Sequence, residues 1–189
     1  MTGPGRAVRA TELFSHPRAD ITLIGGPTAP ALSLGWGTLF RGQDGFHFGY
    51  PRGQPGDVHG ELMGRIKVRG SRVLEPGILW AEIEREPSND LPLGGLSGGP
   101  VLGPGGDVIG LAIAASPRRG RVTSAAPESL HDVMARAGLR QAAAPARPPV
   151  VNVAASNYAA FGDQLRQRMS VARILCWDRD AASRRPGLR

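Results

Sequence analysis

Ser97 stands in "GGLSGGP" (94–100), between two pairs of glycines. Acyl transfer at a serine needs an exposed hydroxyl, backbone N–H groups converging on a developing oxyanion, and a base to take the hydroxyl proton. The flanking glycines meet the first two needs, because they reach backbone angles closed to other residues and put no side chain in a substrate's way. A glycine-rich hairpin with an incidental serine explains the same spacing. A phosphate loop is a third reading, weakened because the Lys-Ser/Thr pair that should follow is absent. On spacing alone, nucleophile and plain turn stand level.

The remaining chemistry-bearing residues narrow the field. His16, His47, His59 and His131 show neither HxxxH nor HExxH spacing, and Cys176 is the only cysteine, so no metal and no cofactor is expected. Cys176 lies in "ILCWDRD", beside apolar residues, and reads as a buried structural thiol. The formal charge of +7 is carried almost wholly by arginine, Lys67 being the single lysine. The arginines at 118–121, 136–147 and 179–189 are scattered, and 5% aromatic content leaves little to stack bases, so no nucleic-acid partner is expected. No apolar run is long enough to span a bilayer. Residues 1–20 lack the apolar middle of a signal peptide, and localisation stays open.

These residues need a scaffold. At 189 residues, with 41% hydrophobic content, the chain holds one ordinary domain or a compact domain with an appendage; 27 Gly and 17 Pro favour short elements joined by tight turns, hence an all-β class. Six strands are predicted at 46–50, 58–68, 77–84, 98–102, 107–115 and 121–126, separated by turn signals such as "PRGQPGD", "GPGGD" and "SPRRGR". Their close spacing leaves no length for crossover helices, which points to a small antiparallel barrel or sandwich. An earlier strand is read in "ADITLIGG" (19–26), followed by an extended connection. "PESLHDVMARAG" (127–138) places Leu130, Val133, Met134 and Ala137 on one helical face, with Gly138 placed to end it. A Pro/Ala linker fills 139–150. Beyond it, Tyr158, Phe161, Leu165, Met169, Ala172 and Cys176 recur at steps of three and four, which predicts a second amphipathic helix of about five turns within 151–178, docked on the domain or on a protein partner. Residues 179–189 read as a disordered tail.

With its neighbours in view, the serine stretch gains a family likeness. "GGLSGGPVL" followed by "DVIGL" resembles the nucleophile region of trypsin-like serine proteases, in particular the bacterial branch with the HtrA-type enzymes. The resemblance implies Ser97 as nucleophile and the amides of Gly95 and Ser97 as the oxyanion hole. Leu96 stands where trypsin itself has an aspartate, so activation by an ion pair with the N-terminus is not implied. "FHFGYPRGQPGDVHGELMGRI" is similar to the first hairpin of the family's second barrel, with its Gly-Tyr-Pro-x-Gly turn. "HPRADITLI" (16–24) resembles the segment carrying the catalytic aspartate on the last strand of the first barrel, which implies Asp20 as the residue that orients the histidine. The implied architecture has 1–43 as a remnant of the first barrel with its connection, and 44–138 as a six-stranded second barrel with a short helix.

The histidine itself has no counterpart. In the family it lies some tens of residues before the aspartate, whereas only nineteen residues precede Asp20. His16 matches the non-catalytic His-Pro of the aspartate segment, and His47, His59 and His131 fall in second-barrel elements, where they read as ordinary surface or packed histidines. The resemblance implies a substrate pocket with Leu91 at its base and Ile113, Ala114 and Ala115 along the opposite wall, suited to a small or apolar side chain of a peptide or protein substrate. Two functions follow: a serine endopeptidase acting through an acyl-enzyme on Ser97, in an N-terminally incomplete form, or a catalytically silent protease-like module that binds through the cleft and the C-terminal helix.

Overall fold

The computed structural model describes residues 9–25, 31–69, 74–88, 92–139 and 152–175. β1 (Thr11–Ser15) and β2 (Thr22–Gly25) pair antiparallel as a separate two-stranded ribbon. Six further strands close into an antiparallel barrel: β3 (Asp44–Gly49), β4 (Gly56–Arg69), β5 (Leu74–Glu86), β6 (Pro100–Leu102), β7 (Val108–Ser116) and β8 (Arg121–Ala125), in the spatial order β3-β4-β5-β8-β7-β6. Closure through the β3–β6 pairing of Phe46 with Leu102 and His47 with Val101 leaves the barrel no free edge. α1 (Pro127–Arg136) follows the last strand, and α2 (Tyr158–Gln167) is the last described helix.

The two-residue period of the strands sorts their side chains into two cores. Val58, Leu62, Ile78, Trp80, Val101, Ala112 and Val122 pack together inside the barrel. Phe46 and Phe48 point the other way, into a second core shared with Leu102, Leu130, Val133, Tyr158, Leu165 and Val171. His47, between those two phenylalanines, therefore turns inward and meets the Trp80 ring edge-on at 5.4 Å. The helices and the ribbon cover the outer core: Ala19 and Ile21 belong to it. The connection to the barrel is also tied down, since Ser33 accepts from the Val108 amide and Gly35 donates to the Val108 carbonyl.

The barrel strands and α1 match the sequence expectation closely; two other expectations need correction. The strand read at 19–26 begins only at Thr22, with Asp20 in the turn before it, and it is not a lone edge, because β1 pairs with it from Thr11↔Gly25 to Ser15↔Thr22. In "TELFS" the adjacent Leu13 and Phe14 break any two-residue alternation, which hides β1 from pattern reading. The helix expected across 151–178 is ten residues long and stops at Gln167. Met169 takes φ 60, its N–H bonds the Arg166 carbonyl and the Ser170 N–H bonds the Leu165 carbonyl, the doubly bonded left-handed ending that glycine usually provides. Of the histidines read as surface or packed, His47 and His59 are packed and His131 is half-buried; His16 is buried as well. Cys176, residues 140–150 of the linker and the tail at 179–189 lie outside the described residues.

α2 docks on this chain's own barrel. Tyr158 stacks on Phe46 at 6.0 Å, Phe161 leans on Phe48 at 6.0 Å, and Leu165 is buried. Arg166 grips Asp57 of β4 through both guanidinium nitrogens, at 2.7 and 2.8 Å, with both side chains almost fully buried. The helix comes so near that a Cβ at Gly162 would lie 2.3 Å from the Asp57 carboxylate. Among the described residues no helix is long and apolar enough to cross a membrane.

Candidate active site

The serine loop is held from three directions. Leu93 and Leu96 bury their side chains in the barrel core and anchor the loop from below. The Leu96 N–H donates to the Leu93 carbonyl at 3.0 Å, closing a turn whose third residue, Gly95, has φ 98. That angle is open to glycine and strained for any other residue. On the β7 side, Gly98 donates to the Ala112 carbonyl at 2.8 Å and Ala112 donates to the Gly99 carbonyl at 2.9 Å. On the far side, the turn 50–53 closes on the loop: the Arg52 N–H donates to the Gly94 carbonyl at 2.6 Å.

These bonds leave the Gly95 and Ser97 amides without an acceptor among the described residues. The Gly94–Gly95 peptide plane is fixed by its carbonyl, which faces Arg52. In a planar trans peptide the N–H lies opposite the C=O, so the Gly95 N–H is turned away from the turn 50–53. Two unclaimed amides flanking an exposed serine are the donor set that a tetrahedral oxyanion requires.

Ser97 opens on a pocket of 280 Å³ lined by Pro92, Leu93, Gly94, Leu96, Ala112, Ala114 and Ala115. Apart from Ser97 its side chains are apolar, and those from β7 are small. Ile113 does not line it. β7 carries a bulge there, Ala112 pairing with Ser124 and Ala114 with Thr123, so that Ile113 is the extra residue. Its carbonyl accepts the Ser97 hydroxyl proton at 3.0 Å. Leu91, the expected pocket base, lies outside the described residues.

Asp20 is exposed in the turn between β1 and β2 and makes no side-chain hydrogen bond among the described residues. Beside it, the His16 Nδ1 accepts from the amides of Arg18 at 3.2 Å and Ala19 at 2.7 Å, which places the ring proton on Nε2 facing Asp132 of α1 at 2.9 Å. Arg136 first, and His16 second, hold the Asp132 carboxyl below the ordinary range. The other histidines are equally committed. His59 bonds Asp44 at 2.8 Å and stacks on Phe46; His131 donates to the Gly35 carbonyl and stacks on Trp36 at 3.5 Å. His47 is fully buried, with neither ring nitrogen hydrogen-bonded, and burial lowers its pKa to about 3. Ser97 bonds none of them.

The structure thus gathers Ser97, Ala114 and Ala115 round one pocket, with Gly95 in the same loop and the Ile113 carbonyl bonded to Ser97, and sets Asp20 in the turn of the ribbon near His16. Sequence reasoning missed the turn 50–53 as a support of the serine loop and Ile113 as a backbone acceptor. "GYPRG" was the visible signal for the first; a bulge has no signature in "LAIAAS" for the second.

No protein-family profile and no curated protein matches the chain. Solved structures do. The active form of the Rv3671c protease from M. tuberculosis superposes with a TM-score of 0.58 at 20% identity, over 72% of this chain and 61% of that one. The inactive form of the same protease gives 0.56 at 19% identity, over 69% and 67%. The HtrA-type protease AlgW with a decapeptide gives 0.53 at 20% identity, over 67% of this chain and 39% of that one. The chain therefore spans about two fifths to two thirds of these proteases. A closed six-stranded antiparallel barrel, the helix that follows it and these superpositions together establish that the chain has the trypsin-like protease fold.

Proposed function

We propose that this chain carries the nucleophile, oxyanion and substrate-pocket half of a trypsin-like serine endopeptidase site. The observation that carries the reading is the pair of unclaimed amides, Gly95 and Ser97, beside an exposed hydroxyl at the mouth of an apolar pocket. In this reading Ser97 Oγ attacks the scissile carbonyl as a base takes its proton, and the two amides take the developing negative charge. The C–N bond breaks and the amine leaves with that proton, and water then hydrolyses the ester to free the acid and Ser97. Asp20 is the residue that orients the imidazole. None of the four histidines of these 189 residues bonds Ser97, each being held elsewhere, and this reading needs an imidazole supplied from outside them. The substrate side chain entering the pocket is small or apolar, because Ala112, Ala114 and Ala115 present no charge.

The bond from the Ser97 hydroxyl to the Ile113 carbonyl favours a second reading, in which the cleft binds peptides without cutting them. Deprotonation toward a carbonyl is not available, and loss of a triad histidine lowers turnover by several powers of ten. A fluorophosphonate probe separates the two. Endopeptidase competence predicts covalent labelling of Ser97 and none in Ser97→Ala. An unlabelled wild-type chain that still binds short apolar peptides establishes the binding module in its place.

A further inference from the structure

The C-terminal segment reaches the serine loop through the turn 50–53. Arg166 of α2 grips Asp57, the second residue of β4, at 2.7 and 2.8 Å. Seven residues on, the Arg173 guanidinium donates to the Gly53 carbonyl at 3.0 Å and lies over that residue so closely that a Cβ would stand 2.7 Å from its Cζ. Gly53 in turn donates its N–H to the Tyr50 carbonyl at 2.9 Å. The Tyr50 carbonyl abuts Gly95, where a Cβ would lie 2.7 Å from it, and the Arg52 N–H holds the Gly94 carbonyl at 2.6 Å.

We propose that residues 158–175 form an intrachain brace for the oxyanion loop, with Arg173 as a positioning residue. This rests on the reading of Ser97 as nucleophile. The Gly94–Gly95 peptide has two orientations of comparable backbone cost, because glycine populates both signs of φ. Only the one with its carbonyl on Arg52 sends the Gly95 N–H away from the turn 50–53. The turn 50–53 meets the loop through the single Arg52–Gly94 bond and the Tyr50 contact, and the two arginines steady it from behind, one at each end of the stretch 53–57. Arg173 itself is exposed and follows α2 after its end at Gln167, outside the core packing of Tyr158, Leu165 and Val171. Removing the Arg173 contact alone therefore loosens the loop while the core packing stays in place.

The test uses the full chain with Arg173→Gln and Arg173→Lys. Amide hydrogen exchange at Arg52, read by NMR, should quicken about fivefold in Arg173→Gln and return toward wild type in Arg173→Lys, the equivalent of losing and regaining one exposed hydrogen bond. The Gly95 amide shift should move with it while the thermal midpoint stays within a degree or two. Unchanged exchange at Arg52 and an unchanged Gly95 shift would overturn the brace. Fluorophosphonate labelling of Ser97 should slow in step; a wild type that labels at a rate indifferent to Arg173→Gln also overturns it. A wild type that never labels removes the endopeptidase reading alone, and the exchange data still decide the brace.

Discussion

His47 makes the barrel acid-sensitive in a way that one substitution isolates. The imidazole has no exposed surface, neither ring nitrogen has a partner, and burial, aided by the nearby His59, brings its pKa from 6.5 to about 3. In the unfolded chain the same ring takes up its proton near pH 6.5. Between those values the unfolded state binds more protons than the folded one, so stability falls as pH falls through the window and is fully restored above it. Each pH unit within it is worth about 1.4 kcal/mol, so acidification from pH 7 to pH 4 should cost about 3 kcal/mol through this residue alone. His47→Leu removes the term and also removes two orphaned polar atoms, so the variant should be at least as stable as wild type at pH 7. Urea unfolding at pH 7 and pH 4 measures the difference. The wild type should lose about 3 kcal/mol more than His47→Leu over that interval. Two stability curves that run parallel within about 0.5 kcal/mol would refute the buried, neutral imidazole.

Two further predictions concern the supports of the site. Arg166→Met leaves the Asp57 carboxylate buried and unpaired and should cost about 3–5 kcal/mol in thermal or urea unfolding, whereas Asp57→Leu combined with Arg166→Met should recover most of it. A single-variant loss under about 1 kcal/mol would show that the pair contributes little. Gly95→Ala forces a Cβ to 2.7 Å from the Tyr50 carbonyl at φ 98, so the loop must shift. Fluorophosphonate labelling should fall about 100-fold or more, the scale of losing one oxyanion donor, with the barrel still folded by circular dichroism. Labelling at the wild-type rate would remove Gly95 from the site.

Helix endings illustrate how far the sequence could be read. α1 and α2 terminate in the same doubly bonded left-handed motif. In α1 the left-handed residue is Gly138, with φ 68, and the Leu139 N–H bonds the Met134 carbonyl. Glycine at that place is legible, and the end of α1 was read correctly. In α2 the left-handed residue is Met169, whose type extends the apolar spacing of Tyr158, Phe161 and Leu165. The cost of that conformation, about 1 kcal/mol, is met by tertiary contacts that return Val171 to the outer core, and no local pattern records them.

The barrel itself was available from sequence because its determinants are local. Alternation in β3, β4 and β5, glycine-rich turns and the "GGLSGGP" stretch each act within a few residues of their own position. Ser97 and its flanking amides were available for the same reason. What decides whether that serine has a working environment is long-range: the Ile113 carbonyl exposed by a bulge in β7, the turn 50–53 pressed against Gly94, and Arg173 arriving from 120 residues away in sequence. The commitment of every histidine to a partner or a buried niche is likewise tertiary. Spacing along a chain specifies which groups can act; only the packing of distant segments specifies which atoms meet, because hydrogen bonds and burial depend on distances that sequence separation does not encode.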